Sequence, residues 1–241
     1  MNLLIYKTQE ELIEDIADYV ITIAKKAIAE QDCFNFVLTG GNSPKALYHL
    51  LSTKYKNEID WSKVYFFFGD ERNVLPTHDS YNGLMAKEAI LDPLNIALDH
   101  IFYVDTSLAP EKAAIEYGKN IAEHFSGADL TFDLILLGMG DDAHTASLFP
   151  ETEILNNHEV AVDAVYVEKL STYRISFTAP LINKAKNVAF LVFGASKAEA
   201  IRHVIEDKTK NTDVYPAQLI KPFEGSVTWF LDEDAASLLD S

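Results

Sequence analysis

The sequence predicts an α/β fold: a mostly parallel sheet with helices on both faces, and a small extra lobe with short strands. Two observations predict this class. Short apolar runs alternate along the chain with segments of helical periodicity, which is typical of βαβ crossovers. Several runs are continuously apolar, as expected for strands buried on both faces. A length of 241 residues fits one domain with a large core.

The first quarter of the chain predicts two strands and two helices. Residues 3–6 form a short apolar run that indicates a strand. Residues 8–11 have the form of a capping box, and the apolar positions after them keep helical spacing. Residues 34–38 are the second apolar run. Glycines and a proline end that strand, and a helix is predicted from there through residue 51.

The middle of the chain predicts three strands and two helices. Residues 64–68 and 132–137 are continuous apolar runs and indicate buried strands, and residues 101–104 indicate a shorter strand. A helix is predicted over residues 82–91. Another is predicted over residues 110–125, because a proline stands in its first turn, where a missing N–H costs no hydrogen bond.

The last part of the chain contains its least regular stretch, from about residue 140 to 185, which we expect to form the small lobe. Within it, residues 160–167 and 174–178 indicate strands that alternate in polarity or pair at an edge. Residues 188–193 indicate another buried strand, followed by a helix. Residues 227–231 indicate the last strand, and a short acidic helix is predicted after it.

Composition excludes several classes of protein. The formal net charge of −17 repels nucleic acid and anionic membrane surfaces, so we expect neither as a partner. No apolar run reaches about 18 residues, which predicts no transmembrane helix, and the first residues lack the features of a signal peptide. The single cysteine, Cys33, excludes an intramolecular disulfide and favours a reducing compartment. We therefore expect a cytoplasmic protein.

Four polar or glycine-rich clusters come directly after apolar runs, at residues 39–44, 69–72, 138–144 and 194–197. Because ligands bind at the carboxyl ends of strands in parallel sheets, we expect the clusters to meet at one edge. In so acidic a protein, a site for an anion needs concentrated positive charge. The chain has only three arginines, and Arg72 lies in one of these clusters.

The first cluster, with Gly40, Gly41, Asn42 and Ser43, can present backbone N–H groups to an anion at a helix N-terminus. Ser43 is a candidate helix cap, and Pro44 suits the first helical position. The alternative is an ordinary strand-to-helix turn, because the segment matches neither a Walker A loop nor a Gly-x-Gly-x-x-Gly motif.

The candidate cationic side chains also have both a structural and a functional interpretation. Asp70, Glu71 and Arg72 place three charges behind a buried strand, where such groups often pair with one another. Alternatively, Arg72 is an electrophilic clamp oriented by a neighbouring carboxylate. Arg174 belongs to an alternating strand and is either a solvated surface residue or part of an anion site. Lys197 stands at a helix start, which is unfavourable for a cation unless an anion binds there.

The strongest candidate site contains His144, which follows a buried strand, a glycine-rich turn and two aspartates. Asp142 can hold one imidazole nitrogen and raise the basicity of the other, which gives a general base near neutral pH. A purely structural histidine is the alternative. The histidines and the cysteine show no metal-ligand spacing, so no metal site is expected. Ser147 is not in the Gly-x-Ser-x-Gly motif of a serine nucleophile.

Taken in order, these clusters resemble the 6-phosphogluconolactonase family, part of a wider group that includes glucosamine-6-phosphate isomerases/deaminases. The resemblance lies in residues 38–44, 69–72, 82–85 and 138–150, with weaker matches at 174–178, 194–197 and 215–217. The Asp-Glu-Arg and His-Thr-Ala-Ser-Leu-Phe-Pro segments are similar to the lactonases rather than the deaminases. Two residues depart from the family pattern: Ala143 replaces a glycine, and Tyr81 replaces a serine. If residue 143 needs a positive φ, alanine strains the turn by ~1 kcal/mol.

The resemblance implies a glucosamine-6-phosphate-isomerase-like fold and a single catalytic domain over residues 1–241. It implies hydrolysis of 6-phospho-D-glucono-1,5-lactone to 6-phosphogluconate, the second step of the oxidative pentose phosphate pathway. In this interpretation His144 is the general base, Asp142 positions it, and Arg72 stabilises the developing oxyanion or holds the sugar. The implied substrate-binding residues are Gly40, Gly41, Asn42, Ser43 and Asp70, with Arg174 and Lys197 on the phosphate.

The resemblance implies neither a metal ion nor an organic cofactor, and the partner is the phosphorylated sugar lactone itself. Two alternatives stay open: a glucosamine-6-phosphate isomerase/deaminase on the same fold, and a non-catalytic sugar-phosphate sensor. The sequence also leaves open whether the protein is a monomer or a homodimer.

Overall fold

The computed structural model describes residues 1–127 and 129–240. A six-stranded, wholly parallel sheet forms the centre, and a three-stranded antiparallel sheet lies beside it. The predicted fold class is therefore confirmed. None of the helices in the described residues is both long and apolar enough to cross a membrane.

The strands follow the chain in numerical order. They are β1 Asn2–Tyr6, β2 Phe34–Leu38, β3 Val64–Phe68, β4 Asp70–Arg72, β5 Leu134–Leu137, β6 Val162–Val167, β7 Thr172–Phe177, β8 Asn187–Val192 and β9 Ser226–Asp232. The α-helices are α1 Gln9–Gln31, α2 Asn42–Thr53, α3 Asn82–Ala86, α4 Pro110–Phe125, α5 Ala179–Ile182 and α6 Ala198–Glu206.

The order of strands in the large sheet, β1-β9-β8-β5-β2-β3, explains where a ligand should bind. From β2 the chain moves outward to β3, and from β5 it moves the other way through β8 and β9. The direction of winding therefore reverses between β2 and β5. At such a switch point the loops after the two strands separate and leave a crevice outside their carboxyl ends.

The core has two apolar layers, one on each face of the large sheet. On one face, α1 buries Leu12, Ile16 and Val20 against the sheet. The capping box that the sequence predicts is present, because Thr8 and Glu11 exchange hydrogen bonds of 3.2 and 3.3 Å. On the other face, α4 and the small sheet pack around Phe177 and its neighbours. Burial of these faces supplies the main driving force for folding.

The small sheet has the order β4-β7-β6 and joins two distant parts of the chain. Its strands β6 and β7 occupy the stretch from which short strands were predicted. The third strand, β4, was not predicted, because its three polar residues carry no strand pattern. β4 pairs antiparallel with β7 and brings Arg72 opposite Arg174.

Two predicted elements are wrong. Residues 101–104 form no strand; Ile101 makes one isolated parallel bridge to Phe66, and the Phe102 N–H donates to the Phe66 carbonyl over 2.9 Å. The acidic C-terminal helix is absent, and turns follow β9 instead, where the Asp232 carboxylate accepts from the Ala235 N–H at 2.8 Å. The predicted helix over residues 82–91 exists but changes at Lys87–Leu91 into a π-helix.

Candidate active site

A cavity of about 270 Å³ opens at the carboxyl ends of β2, β5 and β8, next to the switch point between β2 and β5. All four clusters named from the sequence contribute to its lining, the last of them through Lys197, just before α6. The candidate residues that line it are Gly40, Gly41, Asn42, Ser43, Asp70, Arg72, His144 and Lys197. Asp142 and Arg174 are outside the lining, although each contacts or pairs with a lining residue.

His144 is held by Asp142. Its Nδ1 lies 2.5 Å from Asp142 Oδ1, and its backbone N–H also donates to that oxygen over 3.3 Å. An ionised carboxylate only accepts hydrogen bonds, so Nδ1 carries the ring proton and Nε2 is left as the basic nitrogen. Burial alone would raise the pKa of Asp142, but hydrogen bonds from His144 and Lys169 outweigh it and hold that pKa well below its usual range.

The loop after β5 packs tightly around the imidazole. The Gly140 N–H donates to the His144 carbonyl over 2.8 Å, and a Cβ at Gly140 would overlap the His144 ring. Phe149 stacks on the ring with centroids 4.0 Å apart. Ala143 has a φ of 59°, so the condition for strain at this departure from the family pattern is met.

Arg72 is oriented by a carbonyl group, and not by the neighbouring carboxylate that the sequence suggested. Its Nη1 donates to the Ser80 carbonyl over 2.7 Å. The fully buried Glu71 instead accepts three backbone N–H groups, from Arg72, Asn82 and Gly83, at 2.8–2.9 Å. Burial raises the pKa of Glu71 to about 8, and those donors oppose the shift. Glu71 therefore fixes the backbone that carries Arg72.

Asp70 is fixed by residues that the sequence did not assign to the site. Its Oδ2 accepts from the Ser147 hydroxyl over 2.7 Å, and its carbonyl accepts from the Asn82 amide over 2.9 Å. A Cβ at Gly40 would overlap that same amide, so only glycine lets the turn after β2 approach α3 this closely. Asn82 belongs to a motif noted in the sequence. Its packing between Asp70 and Gly40 depends on contacts that local sequence patterns do not reveal.

The turn after β2 has the geometry of an anion site. Helix α2 begins after Gly41, whose φ of 118° is in the glycine-favoured region, and no side chain caps it. The prediction that Ser43 caps the helix is therefore wrong. The first N–H groups of α2 lack a side-chain acceptor and point toward the helix N-terminus, where the dipole favours an anion.

Three cations at this edge have no carboxylate partner within the described residues. Arg72, Arg174 and Lys197 make no ion pair there. The Nε and Nη1 atoms of Arg174 are buried without any hydrogen-bond partner. Burial, and then the nearby Arg72 charge, lower the pKa of Arg174. An anion bound beside these groups would relieve both effects.

Potential metal ligands do not gather here. Over residues 1–127 and 129–240, no three His, Cys, Asp or Glu side chains lie close enough together to hold a metal ion.

Comparisons with known proteins agree with this geometry. A profile of the family described as glucosamine-6-phosphate isomerases/6-phosphogluconolactonase matches residues 7–229. The chain is 40% identical over 232 residues to the 6-phosphogluconolactonase of Synechocystis, covering 95% of this chain and 94% of that protein. It is 37% identical over 251 residues to the probable 6-phosphogluconolactonase 1 of Arabidopsis thaliana, covering 98% and 92%.

A solved structure gives the same result. The 6-phosphogluconolactonase from Trypanosoma cruzi superposes with a TM-score of 0.87 at 26% sequence identity, covering all of this chain and 97% of the other.

Proposed function

The chain belongs to the glucosamine-6-phosphate isomerase/6-phosphogluconolactonase family, and we propose that it hydrolyses 6-phospho-D-glucono-1,5-lactone to 6-phosphogluconate in the oxidative pentose phosphate pathway. One observation carries the proposal. An imidazole whose Nδ1 is held by a carboxylate lines a cavity together with a helix N-terminus that no side chain caps and with Arg72 and Lys197, which form no ion pair among the described residues. This combination suits a substrate that is both an ester and an anion.

In the proposed reaction, Nε2 of His144 removes a proton from water, and the resulting hydroxide attacks the lactone carbonyl carbon. Negative charge develops on the carbonyl oxygen, where Arg72 stabilises it. Collapse of the tetrahedral intermediate breaks the bond between C1 and the ring oxygen. The imidazolium returns its proton to that oxygen, and the product is the open-chain 6-phosphogluconate.

The phosphate end of the substrate requires separate recognition. With a net charge of −17, the protein as a whole repels an anionic metabolite. We assign the phosphate to the α2 N-terminus with Lys197 and Arg174, and the sugar hydroxyls to Asp70 and the 40–43 turn. The support is that neither cation forms an ion pair among the described residues, that two buried nitrogens of Arg174 have no partner there, and that no side chain caps α2.

We also propose that the enzyme is metal-independent and works in the cytoplasm, as a monomer or homodimer, without nucleic acid or membrane partners. The support is its charge and its single cysteine. Activity that survives EDTA treatment, and recovery of the protein in the cytosolic fraction, are the expected results. Activity that is lost with EDTA and restored by a divalent cation would contradict metal independence.

A lactonase assay corrected for spontaneous hydrolysis tests the main proposal. The wild-type enzyme is expected to accelerate hydrolysis, and His144→Ala to lower kcat by ~10²-fold or more with an unchanged circular dichroism spectrum. His158→Ala, at an exposed histidine, is the matched control and should keep the wild-type rate. A His144→Ala enzyme of near wild-type rate would remove His144 from this role.

The same preparation separates the alternatives. Ammonia released from glucosamine 6-phosphate, without lactone hydrolysis, would identify an isomerase/deaminase. Binding of 6-phosphogluconate without any turnover of the lactone would identify a sensor.

A further inference from the structure

One lysine outside the substrate cavity contacts Asp142, the carboxylate that holds His144. Lys169 lies in the turn between β6 and β7, in the 3-10 helix Glu168–Leu170. Its Nζ donates to Asp142 Oδ2 over 3.1 Å, while Asp142 Oδ1 takes the hydrogen bond from His144 Nδ1. One carboxylate therefore bridges an ammonium group from the small sheet and the imidazole from the large sheet.

The position of Lys169 distinguishes it from the other charges around His144. Asp70 and Arg72 of β4 and Lys197 just before α6 line the same cavity as the ring. Asp142 accepts a hydrogen bond from the ring, Lys169 contacts Asp142, and Asp141 precedes Asp142 in the loop. We have assigned Arg72 and Lys197 to the substrate. Lys169 does not line the substrate cavity and is the cation that touches Asp142 directly.

Fold stability does not account for this contact. The Lys169 side chain is 66% exposed, and exposed ion pairs contribute little to stability. The hydrogen bond that Lys169 donates to Asp142 instead raises the pKa of Lys169 above its usual range, which keeps the ammonium charged throughout the working range of a histidine base.

We propose that Lys169 is a positioning residue for lactone hydrolysis: it holds the second oxygen of Asp142 and offsets part of its charge, and so sets the pH at which His144 becomes a free base. This inference rests on the proposed function. A positive charge near an imidazole disfavours its protonated form, and a carboxylate favours it. Removing Lys169 withdraws the first effect and strengthens the second, so both changes move protonation of His144 to higher pH.

The expected shift is about half a pH unit, from a unit charge on the order of 6 Å away in a water-like dielectric. Because salt screens such a charge, the shift should be largest near 0.01 M ionic strength and should nearly vanish at 1 M. A purely structural role for Lys169 would not give a salt-dependent shift.

The test compares kcat/KM against pH for the wild type, Lys169→Gln and Lys169→Arg. Lys25→Gln is the matched control, because Lys25 also forms an exposed pair, with Glu58 at 2.8 Å, on a different part of the surface. Lys169→Gln should move the acid limb up by about half a unit at low salt. Lys169→Arg, which keeps the positive charge, should have the acid limb of the wild type, and Lys25→Gln should also leave that limb unchanged.

NMR titration of the His144 ring, assigned by comparison with His144→Gln, gives a second readout that needs no turnover. An unmoved or lowered midpoint in Lys169→Gln, with an active wild-type enzyme, would overturn the inference alone. A wild-type protein without lactonase activity would overturn the proposed function, and the ring titration would still decide whether Lys169 acts on His144.

Discussion

The two ends of the large sheet use charge in opposite ways. At the amino end, just before β5, Asp133 is 1% exposed, and its carboxylate is surrounded by donors. Gln31 Nε2 donates at 2.8 Å, the Asn35 N–H at 2.8 Å, and Lys186 Nζ at 2.8 Å. At the carboxyl end, Arg174 keeps two buried nitrogens without any partner in the described structure.

This difference separates charges that serve the fold from charges that serve a ligand. Removing a buried carboxylate leaves its hydrogen-bond donors and its cation unpaired, so its loss costs stability. A buried cation without a partner costs stability in the free protein and recovers it when an anion binds. Variants at the amino end should therefore change unfolding, and variants at the carboxyl end should change catalysis or binding.

The largest expected effect is at the amino end. Asp133→Ala leaves the buried Asn35 N–H without this acceptor and removes the ion pair with Lys186, so we expect a loss of about 3 kcal/mol in the free energy of unfolding. kcat should stay at the wild-type value below the unfolding transition. Urea unfolding and a lactonase assay on the same sample measure both. Lys25→Gln, at an exposed ion pair, should change stability by less than about 0.5 kcal/mol. A folded Asp133→Ala enzyme with impaired kcat would break the division between the two ends.

Gly140→Ala, at the carboxyl end, should lower kcat, whereas Asp133→Ala lowers stability. The new methyl group overlaps the His144 ring, which must turn away from Asp142. We expect kcat to fall by ~10²-fold, since a misplaced base loses most of its contribution. Gly118→Ala in α4 is the control, because a Cβ there meets only ordinary contacts and should leave kcat unchanged. Wild-type kcat in Gly140→Ala would show that the ring position does not limit the reaction.

The smallest effect concerns pH. The pKa of Asp142 lies below its unfolded value, so its ionisation stabilises the fold above pH ~4 and that contribution is lost as pH falls through the folded value. Because Asp142 is partly exposed, the contribution should stay below about 1 kcal/mol. The stability difference between wild type and Asp142→Asn should therefore shrink as the pH falls from about 5 to about 2. Parallel urea titrations measure it, and a difference independent of pH would contradict the assignment.

Local sequence patterns were sufficient for most of the fold. Continuous apolar runs and helical spacing predicted β2, β3 and α4 because burial on the sheet requires those patterns. They did not predict β4, which exists only because β7 pairs with it. They also gave a false strand at 101–104, an apolar segment that covers the β3 edge through a single hydrogen bond to Phe66.

The position of the site was predictable from the order of the strands, but the contacts that support its residues were not. His144 and Arg72 belong to the polar clusters that follow the apolar runs of β5 and β3, so the topology brings them to one edge. Their supporting contacts are distant in sequence: Ser147 lies 77 positions from Asp70, and Lys169 lies 27 positions from Asp142. No local pattern encodes such contacts, and the orientation of Arg72 by the Ser80 carbonyl is equally invisible in the sequence.

Calorimetric titration with 6-phosphogluconate tests the division between the two ends most directly. Arg174→Met and Lys197→Met should each weaken binding by about 10-fold, as expected for loss of one charge-assisted contact. Asp133→Ala should bind as the wild type does. Unchanged affinity in both cation variants would show that Arg174 and Lys197 do not bind the substrate phosphate.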